Sequence, residues 1–123
     1  MNRAKKTPLA WVTLCLLVSL VATNVAFLIL LRTGGPLIGI AFYAVLLAVA
    51  CRGQQRGSRE VIVGSLVGLT VHVAEATILG WTPYPALMAL NIALPTVLAP
   101  VAWLAGRQAR RADSKERQYP CER

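Results

Sequence analysis

The run LAWVTLCLLVSLVATNVAFLILL, from Leu9 to Leu31, decides the fold. It contains no charged residue. At about 1.5 Å of rise per residue it forms a helix roughly 34 Å long, enough to cross a hydrocarbon core of about 30 Å. Arg3, Lys5 and Lys6 precede it, as they would in a signal peptide. The apolar run is nonetheless about 23 residues, against 7–15 in a signal peptide, and no small-x-small cleavage site stands before Arg32. It reads as a retained first span.

Three more apolar blocks follow. Arg32-Thr33-Gly34-Gly35-Pro36 is a turn, with Pro suited to the first turn of the next helix. The second block, Leu37 to Cys51, is the shortest; counted from Thr33, its uncharged stretch is about 19 residues and crosses with little tilt. If it did not cross, the basic loop Arg52 to Glu60 would fall on the wrong side. In that loop Ser58 is placed to cap the third helix, with Glu60 near its positive end. The third block runs from Val61 to Trp81, and Gly80 to Pro85 forms a second turn with Trp81 and Tyr84 as interface anchors. The fourth block is Pro85 to Gly106.

The expected architecture is all-α. Residues 1–106 form a four-helix transmembrane domain, a polytopic membrane protein of two hairpins with spans at about 9–31, 35–51, 61–81 and 85–106. Residues 107–123 are a basic cytoplasmic tail. Apolar residues are 56% of the 123, concentrated in these blocks, and a soluble bundle would carry a charged outer face that they lack. Of the 13 Lys and Arg, only Arg32 lies in the two loops placed outside. The positive-inside rule then puts both termini in the cytoplasm. The expected location is the cell membrane, as in a bacterial inner membrane.

The net charge of +8 is explained by that asymmetry and by attraction to anionic headgroups. Arg107, Arg110 and Arg111 are the residues expected to meet lipid headgroups or a partner. No nucleic-acid-binding module is present, so nucleic acid is not an expected partner. The three cysteines, Cys15, Cys51 and Cys121, cannot close a full set of disulfides within one chain and have no metal-ligand spacing.

Polar residues inside a membrane need a reason. His72 and Glu75 lie three apart and share a face of the third helix. Continued at heptad spacing, that face carries Ser65, Gly68, His72, Glu75 and Leu79, and Gly64 with Gly68 makes a small-xxx-small pair for close helix approach. Asn24, Tyr43, Glu75 and Asn91 fall roughly 9–12 Å below the outer ends of their helices, one polar residue per span at nearly one depth. In the fourth span Pro95 and Pro100 remove the donors to the carbonyls of Asn91 and Thr96 and are expected to bend the helix. The expected network has Asn24, Tyr43 and Asn91 bonding to Glu75.

This layer supports several functions. One is packing glue in a non-catalytic accessory or scaffold subunit, its partners being lipid, other membrane subunits or further copies of itself. Another is an oligomeric transporter or channel for protons, cations or a small polar ligand, using an outer-half site around His72 and Glu75. A third is an intramembrane enzyme or redox subunit, though no catalytic constellation is visible. No cofactor is expected; a metal or haem at His72 would need further ligands from outside this pair. The layout resembles those of small multidrug transporters, fluoride channels and the accessory protein I of bacterial ATP synthase. That likeness is of topology alone: the first span has no Glu and the chain no Gly-rich, Phe-bearing motif, so it assigns no family.

Overall fold

The computed structural model describes residues 8–32, 34–52, 56–80 and 84–118. They form four helices: α1 (Pro8–Leu31), α2 (Gly35–Arg52), α3 (Arg56–Leu79) and α4 (Pro85–Gln118). No strand occurs among the described residues. Each helix is long and apolar enough to cross a membrane, which is the fold of a small multi-pass membrane protein. α2 is the shortest at 18 residues, or roughly 27 Å.

Two boundaries differ from the sequence reading. α3 starts at Arg56, so Ser58 sits inside its first turn and not ahead of it. α4 does not stop near Gly106 but runs 34 residues to Gln118. The segment after Gly106 is rich in Arg, Gln, Ala, Lys and Glu, all good helix formers, and contains no Gly or Pro before Pro120, so nothing stops the helix once it has left the apolar zone. Its Arg107, Arg110 and Arg111 are exposed, and the Arg107 guanidinium lies over the Trp103 ring at 5.4 Å. The interface anchor expected at Trp81 lies outside the described residues.

α1 and α3 end alike. The Arg32 amide donates to the Leu28 carbonyl at 3.0 Å, with Arg32 itself at φ 52°. Gly80 ends α3 in the same manner, at φ 82° with its amide on the Ala76 carbonyl at 3.1 Å. There glycine takes the left-handed conformation without steric cost, whereas at Arg32 a Cβ opposes it.

The helices close into a ring in which α1 packs on α2 and α4, and α3 on α2 and α4, while the backbones of the diagonal pairs come no closer than 8 Å between Cα atoms. α2 and α3 share the sparsest contact. The buried positions follow a seven-residue repeat. On α1 they include Thr13, Leu17, Leu20, Asn24 and Phe27; on α4, Asn91, Pro95, Leu98, Ala102, Ala105 and Ala109. Steps of three and four residues keep one seam facing inward along the helix. Small residues on the α4 seam let α1 approach closely, and van der Waals contact supplies the attraction that water would supply in a soluble bundle.

The seam has two halves. Leu17, Leu20, Leu46, Val61, Leu98 and Ala102 form an apolar core toward the end that carries the basic residues. The polar residues lie toward the opposite end, where α1 and α3 end. Hydroxyls elsewhere are satisfied within their own helices: Ser19, Thr23, Ser65, Thr70, Thr77 and Thr96 each bond the carbonyl four residues earlier, at 2.6–2.8 Å.

Candidate functional site

Four helices bring Asn24, Tyr43, His72 and Asn91 to the inside of the bundle, and all four are buried. Their hydrogen bonds form two pairs. Asn24 Nδ2 donates to Asn91 Oδ1 at 3.3 Å and to its own helix at the Leu20 carbonyl at 2.8 Å. Tyr43 Oη lies 3.1 Å from His72 Nε2, with the two rings nearly parallel at 6.1 Å between centroids. The first pair ties α1 to α4 and the second ties α2 to α3.

Glu75 is not the hub that the sequence suggested. Its Oε2 lies 3.6 Å from His72 Nδ1, and neither Asn nor Tyr43 bonds it. Its side chain is 46% exposed, whereas that of His72 is 8%. The reason is angular. On a straight helix the three-residue step from His72 to Glu75 falls about 60° short of a full turn and leaves the carboxylate partly outward, and Ala76 takes the buried position instead. Ser65, Gly68 and His72 do lie on the inner face as expected, while the side chain of Leu79 lies outside what is described.

The separation leaves His72 Nδ1 without a hydrogen bond although it is fully buried. At 3.6 Å the Glu75 oxygen is beyond hydrogen-bond reach. Leaving such an atom unpaired costs about 1–3 kcal/mol, so each instance calls for an explanation.

Glycines set how closely the helices approach. A Cβ on Gly64 would fall 2.6 Å from both Leu46 methyls, and one on Gly68 would overlap Tyr43 Oη. The small-residue pair of α3 therefore serves this chain's own α2. Gly39 on α2 has the same role toward α1, because a Cβ there would meet Asn24 Oδ1 at 2.5 Å. The sequence reading missed Gly39. A glycine one turn before Tyr43 inside an apolar helix was the available signal.

Between the two hydrogen-bonded pairs and the turns lies a cavity of about 600 Å³. Asn24, Tyr43, His72, Glu75 and Asn91 all line it, so every residue of the expected polar layer faces one space. Its walls are otherwise mainly apolar, with Phe27 from α1, Phe42 from α2 and Met88 from α4. Gly35, Pro36, Gly80 and Tyr84 line its end at the turns. Ile38 on α2 and Val71 on α3 line it too, yet are 76% and 48% exposed, so the cavity reaches the outer surface between these two helices.

Pro95 is buried on the α4 seam and Pro100 is exposed, and the helix continues through both. Pro95 deprives the Asn91 carbonyl of its usual donor beside the cavity. Among the described residues, no third His, Cys, Asp or Glu joins His72 and Glu75. Cys15 and Cys51 are free and exposed, and Cys121 lies outside the described residues.

No protein-family model, no curated protein and no solved structure matches the chain. Its class rests on the fold: a small integral membrane protein with four candidate spans.

Proposed function

We propose that this protein is a small transporter-type membrane protein that holds a small amphipathic molecule in the cavity at the turn end of the bundle. The observation that carries this reading is the mainly apolar cavity of about 600 Å³ on which Asn24, Tyr43, His72, Glu75 and Asn91 converge. Ligand pockets are typically about 300–1,000 Å³, mostly apolar, with a few convergent polar groups. Polar groups that served only as packing glue would be expected to pair fully and close on one another.

An accessory-subunit role drew in part on small-residue helix faces such as that of Gly64 and Gly68. Both glycines meet α2 of the same chain, so that support moves to internal packing. The gathering of 12 of the 13 Lys and Arg outside the two short turns supports termini on the cytoplasmic side, with the cavity toward the opposite face.

The test is binding to the full-length protein in lipid nanodiscs. Biphenylbutanol, an apolar body with one hydroxyl, is titrated against loaded and empty discs. The expected result is saturable one-to-one binding above partition into lipid, lost in Val71→Trp, which narrows the cavity from a lipid-exposed position that tolerates bulk. Binding no different from empty discs would overturn the reading and return the accessory role to first place.

A further inference from the structure

The cavity has a definite chemical preference. Among the described residues its ionisable lining consists of Glu75, His72, Tyr43 and Tyr84, with no Lys or Arg. The carboxylate thus has no cationic side chain at hand, apart from whatever charge His72 carries at 3.6 Å. A carboxylate in a mainly apolar setting is costly unless a cation or donors satisfy it.

The second element is the exposure of Glu75. His72 Nδ1 has no open surface, so an occupant of the cavity meets the Glu75 carboxylate, whose side chain is 46% exposed. A primary ammonium brings that carboxylate three N–H donors and a positive charge, whereas a hydroxyl brings one donor and no charge.

The third element is the route. Ile38 and Val71 bound the cavity where it reaches the lipid-facing surface between α2 and α3, the pair with the sparsest contact. A molecule with an apolar body can enter there from the bilayer and leave its head at Glu75.

We infer that the ligand is a lipophilic primary amine, its ammonium on the Glu75 carboxylate and its apolar body lying along Phe42 and Val71. This rests on the proposed cavity site and names the chemistry of its occupant.

The test uses the full-length protein in nanodiscs and one skeleton with four heads: biphenylbutylamine, its trimethylammonium analogue, biphenylbutanol and biphenylbutyrate. The amine is expected to bind on the order of tenfold more tightly than the alcohol, through its charge-assisted bonds. The trimethylammonium compound, with the charge but no N–H, is expected to fall below the amine, and the butyrate to bind weakest. Glu75→Gln is expected to remove the preference for the amine over the alcohol, and its unfolding transition in mixed micelles shows whether the variant is folded.

Equal saturable binding of amine and alcohol, or an amine preference that survives Glu75→Gln, would overturn the inference while leaving the cavity site standing. A trimethylammonium compound matching the amine would overturn the N–H contact with Glu75 on which the inference depends. Saturable binding of none of the four would overturn both the inference and the cavity site.

Discussion

Gly68→Ala sets two opposed effects against each other at the polar layer. Replacing glycine by alanine inside a helix gains about 1 kcal/mol of propensity. The new Cβ, however, would overlap Tyr43 Oη and lie 3.1 Å from Tyr43 Cζ. Tyr43 is 1% exposed and has little room to retreat. Overpacking of this kind costs about 1–3 kcal/mol. Pushing Oη off His72 Nε2 adds about 0.6–1.7 kcal/mol, the range for interhelical bonds in membranes. The net expectation is a loss of roughly 0.6–3.7 kcal/mol. Tyr43→Phe alone removes the hydroxyl and costs about 0.6–1.7 kcal/mol. The two changes together remove the atom that causes the worst overlap, although the ring carbon at 3.1 Å remains. The double variant should therefore lose about 1–2 kcal/mol less than the sum of the singles. Reversible unfolding in mixed micelles of rising SDS content, followed by far-UV circular dichroism for all four proteins, measures each step. Additivity within about 0.5 kcal/mol, or a Gly68→Ala protein more stable than its parent, would show that α2 and α3 do not meet as described.

Three further outcomes follow from other parts of the chain. Arg32→Gly places a residue without Cβ at φ 52° and should stabilise the protein by about 0.5–1 kcal/mol in the same micelle assay; a loss of stability would contradict the turn geometry. Leu17→Ala opens the apolar core at a position with no exposure and should cost about 2–4 kcal/mol, whereas the exposed Val18→Ala should cost well under 1 kcal/mol; equal losses would contradict the inward seam. In a Cys15→Ala, Cys121→Ser background, a membrane-impermeant maleimide should label the exposed Cys51 in inside-out vesicles and not in right-side-out ones, and the reverse pattern would invert the proposed orientation.

How much of this was legible in the sequence depends on what each signal measures. The four helices were legible because apolar length is read directly, most clearly over Leu9–Leu31. The far end of α4 was not, because Arg107 to Gln118 shows no apolar pattern and is helical by continuation and propensity alone. Depth was legible too. Counting residues from the turns placed Asn24, Tyr43, Glu75 and Asn91 at one level, and all of them line one cavity. Azimuth was not. The spans are apolar nearly all round, so no polar stripe marks which side faces inward. The pairing of Asn24 with Asn91 and of Tyr43 with His72, and the outward turn of Glu75, therefore appeared only with the helices assembled. Gly39 was passed over for a related reason: its role depends on Asn24 of a different helix.

The account turns on the space between the two hydrogen-bonded pairs being a ligand site. An experimental map of the full-length protein in nanodiscs of native membrane lipid tests this most directly. The account predicts non-protein density in the cavity, in contact with Glu75 and extending toward Phe42 and Val71. A map in which Glu75 has swung in to bond His72 directly, with α2 and α3 closed over an empty space, would contradict it.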